Sequence, residues 1–468
     1  MKKKSEQVVI SIDVGTSSLK GGVIDADGKL INWVRVPLNE KMEGPLETQP
    51  AGAWLKALGT ALAKLPERRR AAALAISGNG PTVVPVDASG KALDEASLWL
   101  NRRDVRVEGQ PSFFLPKIAW FARHKPDVYA GTRWFLGCPE YLAFVLCGEA
   151  AAFTPSEEFT PYIWEKKGLE AYQLDPRKVP RPVKAGTVLG TLRRDAAAAL
   201  NLPADAGLPP DIPVIATGAD FLMALIGTAV TGPGRTCDRA GTSEGINCCM
   251  DRRIIHPQIR CLPHAVEGMY NIAGILASTG RIFEWFRRFS GQQDRDYYEM
   301  LSDIIKVKWN RQLPHFYPSL HRGEVLEFSR GVFTDLEAHH GSAEMGRAVV
   351  SSIGFGVRDL IETLEEQGCE IGSLRISGGQ GRNTIWNQMK ADIIGRVIEV
   401  PHIIDAELAG NAVAAFTALG CYTSLTEAAE RMVRIDTRFE PDMDRHRIYS
   451  EEYRDYEQHC ERIMAALK

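Results

Sequence analysis

Residues 8–25, Val-Val-Ile-Ser-Ile-Asp-Val-Gly-Thr-Ser-Ser-Leu-Lys-Gly-Gly-Val-Ile-Asp, constrain this chain more than any other stretch. A β-branched run, Val8 to Ile12, leads into Asp13 and a Gly-Thr-Ser-Ser turn. A second run, Leu19 to Ile24, follows and is closed by turn residues Asp25 to Gly28. The pattern predicts a β-hairpin with a small, hydroxylated, glycine-bearing tip. Backbone N–H groups and hydroxyls at such a tip can approach a phosphate closely. Asp13 falls where the first strand ends, and a carboxylate there suits hydrated Mg²⁺, which keeps several waters and takes only one or two carboxylates. Lys20 can bring a positive charge to the same place. The stretch is neither a G-x-x-x-x-G-K-[ST] loop nor a G-x-G-x-x-G fingerprint. An ordinary surface hairpin with a glycine turn is the competing reading, since the same residues populate plain turns.

The bulk properties narrow the class. With 468 residues, two or three ordinary domains are expected. Charged residues make up 25% and hydrophobic ones 44%, the profile of a globular chain. A net charge of -3 argues against nucleic acid as a partner. The nine cysteines show no C-x-x-C or metal spacing and read as reduced thiols of a cytoplasmic protein. No signal peptide and no run of about 18 apolar residues is found, so no membrane partner is expected.

The same grammar occurs twice. Strands are expected at Val8–Ile12, Gly21–Ile24 and Leu30–Val36. A helix is expected over Pro50–Leu65, burying Trp54, Leu55, Leu58 and Leu62. Ala72–Ile76 reads as a strand ending in Ser77-Gly78-Asn79-Gly80. Ile212–Ala216 reads as another, ending in Thr217-Gly218-Ala219-Asp220 before an apolar helix. Then Arg235–Ala240, the turn Gly241-Thr242-Ser243 and the strand Ile246–Met250 repeat the opening layout. A helix is expected over Ala343–Glu366. Leu374–Ser377 reads as a strand before Gly378-Gly379-Gln380-Gly381, and a small-residue helix is expected at Ala406–Leu419. Repetition of one unit in each half predicts two related lobes, 1–236 and 237–468.

Five motifs in order carry a resemblance. They are Asp13-Val-Gly-Thr-Ser-Ser-Leu-Lys20, Trp99-Leu-Asn-Arg-Arg103, Gly218-Ala-Asp220, Gly241-Thr-Ser243, and Ser377-Gly-Gly-Gln-Gly381 with Trp386, Gln388, Ala391 and Asp392 downstream. Together they resemble the FGGY carbohydrate kinases, nearest the pentulose and deoxysugar kinases. The resemblance implies an α/β, two-lobed actin/hexokinase-like (ribonuclease H-like) nucleotide-binding fold with a central cleft. It implies ATP and Mg²⁺ as cofactors and a small sugar or polyol as partner, with a homodimer admitted. It implies Asp220 as general base and Asp13 as metal ligand. Gly15, Thr16, Ser17, Lys20, Gly241, Thr242 and Ser243 would serve the phosphates. Gly378, Gly379, Gln380 and Asn383 would lie on the adenosine side.

Asp220 also has a structural reading, since an Asp before an apolar helix is a common N-cap. The acceptor side departs from the family pattern. Asn101 stands for a carboxylate in the Trp-x-Asp-x-Arg segment, although Arg103 remains. Asn79 stands for Gln and Pro81 for His in a Ser-Gly-Gln-Met-His segment. Gly323-Glu324-Val325 lacks the Arg of a Gly-Glu-Arg segment. Phe221 follows Asp220 where many relatives carry a polar residue. Asn79, Asn101, Arg103, Glu140 and Asp220 are the substrate-site candidates, with a helix-surface charge as the rival reading of Glu140. The altered polar set also admits a catalytically inactive, sugar-responsive regulatory protein on the same scaffold.

Overall fold

The computed structural model describes residues 7–38, 47–196, 200, 208–209, 211–241, 243–319, 328 and 331–466. Thr242 and the segment Gly323-Glu324-Val325 therefore lie outside the described residues. The chain divides into two compact units. The first comprises Met1–Ala229, Pro263–Gly268 and Ala406–Arg434, and the second Val230–Leu262, Met269–Asp405 and Ile435–Lys468. Two consecutive lobes split near Thr236 do not anticipate the return of 406–434 to the first unit.

The first unit is organised by a six-stranded sheet in the order Val188–Thr191, Pro213–Ala219, Ala71–Gly78, Val8–Val14, Ser18–Asp25, Leu30–Pro37. Val8–Val14 pairs antiparallel with Ser18–Asp25, as the hairpin motif predicts, and parallel with Ala71–Gly78. Every residue of Val8–Val14 is buried, which marks a strand covered on both faces. The helix Ala51–Lys64 buries Trp54, Leu58 and Leu62 in the core of this unit, with Leu55 only partly buried.

The second unit repeats the plan in a seven-stranded sheet: Arg260–Pro263, Tyr270–Leu276, Glu244–Met250, Thr236–Ala240, Ser373–Ser377, Val397–Pro401, Ile435–Phe439. Thr236–Ala240 again pairs antiparallel with the strand after its turn and parallel with a third strand, Ser373–Ser377. The long helix Ser342–Glu366 buries Ile353, Val357, Leu360, Ile361 and Leu364, the face its 3.6-residue spacing predicts. Among the described residues no helix is long and apolar enough to cross a membrane.

One packing detail in the first unit positions chemistry. The helices Asp220–Gly227 and Ala406–Ala418 meet backbone to backbone at two glycines. A Cβ on Gly227 would sit 1.8 Å from the Ala406 carbonyl oxygen, and one on Gly410 would sit 1.9 Å from that of Met223. Only glycine permits this approach, because real Cβ atoms do not come within 3.0 Å of another heavy atom. The helix that begins at Asp220 and the helix that carries Glu407 are thereby locked together.

Candidate active site

Three parallel strands of the first unit end side by side, and each delivers a polar group at its carboxyl end. Asp13 of Val8–Val14 is in register with Ser77 of Ala71–Gly78, and Gly78 is in register with Ala219, which precedes Asp220. Ligands of α/β sheets collect outside such strand ends. The Ser77 hydroxyl donates to Asp13 Oδ1 at 2.8 Å. Asn411 Nδ2 donates to the Ser77 hydroxyl at 2.9 Å and to the Ile12 carbonyl at 2.8 Å. The Ser11 hydroxyl in turn donates to the Leu408 carbonyl at 2.8 Å. The Ala406–Ala418 helix is thus pinned to the strand that presents Asp13.

Asp13 is buried, and its carboxyl is pushed up to about 7. Burial is the main cause; Glu407 and Asp220 add to it, while Lys20 and Ser77 oppose it. Lys20 lies opposite Asp13 in the hairpin register and pairs with Glu407 at 3.8 Å. Glu407 is buried, and its Oε2 accepts no hydrogen bond. Three carboxyls and one ammonium therefore share this end of the first unit, a concentration of negative charge that suits a cation. Sequence reasoning missed Glu407 and Asn411. The available signal was a single acidic and a single amide side chain inside an otherwise small and apolar helix.

Asp220 is the first residue of its helix, and Oδ1 accepts from the Phe221 amide at 2.6 Å. The N-cap position of this helix is Ala219 and no side chain caps it, so Asp220 is not the N-cap its sequence position allowed. Its carboxylate acts electrostatically on Asp13 and on the buried Cys138 thiol.

The turn after Asp13 is closed by Gly15 N–H donating to the Ser18 carbonyl at 3.0 Å. Thr16 accepts from Trp99 Nε1 at 3.2 Å, and Ser17 is exposed. Asn79 clamps this turn from below. Its Nδ2 donates to the Val14 and Gly15 carbonyls, both at 3.3 Å, and its Oδ1 accepts from the Thr82 hydroxyl at 2.5 Å.

A pocket of this unit is lined by Asn79, Pro81, Glu140, Phe153 and Phe221, among others. Asn79 and Glu140 thus line one pocket, whereas Asn101 and Arg103 are not among its lining residues. Asn101 Oδ1 accepts from the Arg103 amide at 2.8 Å and from its Nε at 3.2 Å. The Arg103 guanidinium lies over the Trp120 ring, 5.3 Å from its centroid.

Glu140 is not a surface charge. It is 7% exposed, in the first turn of the helix Cys138–Cys147, and its Oε1 accepts from the Phe153 amide at 3.0 Å. Burial pushes its carboxyl from 4.5 up to about 7. A group raised in this way contributes stability that is complete below pH 4.5 and is lost as pH rises through about 7. Glu140→Gln keeps the acceptor for Phe153 and removes the titration. The variant is expected to gain about 2.5 kcal/mol on the wild type between pH 5 and pH 8. Urea melts at the two pH values measure this, and a pH-independent difference would contradict it.

In the second unit, Gly241 N–H donates to the Ser243 carbonyl at 2.9 Å. Gln380 Nε2 donates to the Gly241 carbonyl at 2.9 Å, and Gln380 Oε1 accepts from Trp386 Nε1 at 2.9 Å. Gln380 therefore braces the Gly241–Ser243 turn against the Gly378–Arg382 segment. Gly378 has φ 95°, and a Cβ there would meet the Ala240 carbonyl oxygen at 2.5 Å, so both conformation and space require glycine. Gly379 lies beside it, and a Cβ there would meet nothing within 4 Å. Asn383 caps the helix Thr384–Ile394, its Oδ1 accepting from the Trp386 amide at 3.0 Å.

Family models cover both units. Residues 8–110 and 104–227 match the N-terminal domain of the FGGY family of carbohydrate kinases, and residues 239–419 match its C-terminal domain. The chain is similar to a xylulose kinase of Staphylococcus epidermidis, 24% identical over 97% of this chain and 96% of the relative. It is similar to an autoinducer-2 kinase of Salmonella paratyphi B, 26% identical over 96% of this chain and 93% of the relative. Its fold matches the crystal structure of xylulose kinase from Rhodospirillum rubrum with a TM-score of 0.80, at 20% identity over 97% of this chain and 98% of that one. Two domain models over nearly the whole chain, on a fold that repeats one strand–turn–strand unit in each half, establish that this protein belongs to the FGGY family of carbohydrate kinases, enzymes that phosphorylate sugars with ATP.

Proposed function

We propose that the first unit binds a small sugar or polyol at the pocket beside Asp220, and that Asp220 takes the proton of the attacked hydroxyl. The alignment of Asp13, Ser77 and Asp220 at adjacent strand ends carries this reading. Phosphoryl transfer demands positioning, charge neutralisation and a proton acceptor more than covalent chemistry by the protein. Asp220 meets the last demand, because the Phe221 amide fixes its rotamer through Oδ1. Asp13 and Glu407 form the donor set for Mg²⁺; hard oxygen ligands, with Glu407 Oε2 accepting no hydrogen bond, fit that ion. When bound, Mg²⁺ would offset the charge of the nucleotide phosphates. Lys20 adds positive charge, and the Gly15–Thr16–Ser17 turn offers backbone and hydroxyl donors to phosphate.

In the second unit, the Gly241–Ser243 turn serves phosphate, while Gly378, Gly379 and Gln380 form the adenosine side. Asn79 shapes the first phosphate turn, and Glu140 gives the acceptor pocket a polar wall. Asn101 and Arg103 act through the Trp99 segment. A chain whose nine cysteines form no disulfide and that consumes ATP fits a cytoplasmic enzyme.

A coupled ADP-release screen over pentuloses, hexuloses, polyols and sugar acids tests this function. Mg²⁺-dependent release with at least one compound is expected. Calorimetric binding of an acceptor with no release in the presence of Mg²⁺ and ATP would reject it.

A further inference from the structure

We propose that the first-unit pocket is built for an alcohol with a deoxygenated, hydrocarbon-bearing end, held against an aromatic wall with Glu140 as its polar anchor. This specificity rests on the kinase reading for its location beside Asp220, but the argument comes from the wall itself. Phe113, Phe153, Phe159, Phe221, Ile163 and Leu222 line the pocket. Its prolines, Pro81, Pro139 and Pro155, have no N–H to offer. The polar groups are few, and most are already committed. Asn79 spends its amide on two backbone carbonyls and its oxygen on the Thr82 hydroxyl. Glu140 Oε1 is engaged by the Phe153 amide. A Cβ on Gly137 would lie 2.2 Å from Glu140 Oε2, so glycine at 137 keeps room for that oxygen at the pocket wall.

A fully hydroxylated pentulose placed here would press several hydroxyls against ring carbons with no partner to replace water. Each stranded hydroxyl costs roughly tenfold in affinity. A methyl or methylene in the same place gains by burial. The two positions beside the base differ from a sugar-reading site in the same direction, since Pro81 and Phe221 put carbon where a hydroxyl would need a donor or acceptor.

Matched acceptor pairs test this: D-xylulose against 1-deoxy-D-xylulose, and erythritol against 2-C-methyl-D-erythritol. Calorimetric Kd without nucleotide and kcat/KM for ADP release are both measured. The deoxygenated or methylated member is expected to bind at least tenfold more tightly in each pair. Phe221→Gln is expected to shift the preference at least tenfold toward the hydroxylated member, with Kd for ATP unchanged. Equal or reversed preference in the wild type, or no binding of any of the four, would overturn the inference. ADP release that favours the hydroxylated members would overturn it and leave the kinase function standing. Tighter binding of the deoxygenated members without ADP release would do the reverse.

Discussion

Asp220→Asn is expected to lower kcat by about 10²–10⁴-fold, the usual contribution of a positioned general base. The substitution separates the bond to the Phe221 amide from the proposed role of proton acceptor. Asparagine offers an oxygen to the Phe221 amide as well as aspartate does. The fold and the helix Asp220–Gly227 should therefore persist, with thermal stability within about 0.5 kcal/mol of the wild type. What asparagine lacks is a site for the proton. The charge change also has a sign. Asp220 raises the carboxyl of Asp13, so its neutral replacement lets Asp13 ionise more easily. Binding of Mg²⁺–ATP should consequently be unchanged or tighter while turnover falls. Steady-state kinetics with the best acceptor of the screen, beside calorimetry with Mg²⁺–ATP, measure both. Turnover within threefold of the wild type would remove Asp220 as the base.

Much of this architecture was legible because it is local. The hairpin at residues 8–25 follows from two β-branched runs around a glycine turn, and it pairs as the pattern predicts. The recurrence at 235–250 was equally visible and produced the same three-strand arrangement. Distant pairings were not legible. Glu407 and Asn411 reach Lys20, Ile12 and Ser77 across hundreds of residues, because the helix Ala406–Ala418 returns to the first unit. No local periodicity encodes such a return. Asn79 was a substrate candidate because it stands for the Gln of a family segment; it lines the pocket, and its amide also donates to the backbone beside it. Arg103 kept its motif position but lies over Trp120, a residue outside the motif. Burial of Glu140 was undecidable from a helix pattern in which a first-turn acid is ordinary.

The buried charge cluster of the second unit shows the same blindness and yields the largest expected loss of stability. Lys390, on the helix Thr384–Ile394, is fully buried. Its Nζ lies 2.7 Å from Asp238 Oδ2 and also bonds Glu244 Oε1. Asp238 and Glu244 sit on the two strands that flank the Gly241–Ser243 turn, so this lysine ties the turn's base to the helix behind Gln380. Burial, then Glu244, pushes the Asp238 carboxyl up to about 8, while the two carboxyls raise Lys390 above its ordinary value. Lys390→Met preserves length and apolar packing but leaves both carboxyls without a cation. Breaking a buried pair from one side costs about 3–5 kcal/mol, because a charge is stranded in the interior. The sign with pH follows. A carboxyl raised in the fold contributes stability that is complete below 3.8 and is lost as pH rises through about 8. Without Lys390 that loss deepens, so the variant should be destabilised more at pH 9 than at pH 6. Lys390→Met combined with Asp238→Asn and Glu244→Gln removes the stranded charges and should recover most of the loss. Denaturant melts of the three proteins at both pH values decide the matter. A Lys390→Met variant as stable as the wild type at pH 9 would show that water, rather than the lysine, satisfies these carboxyls.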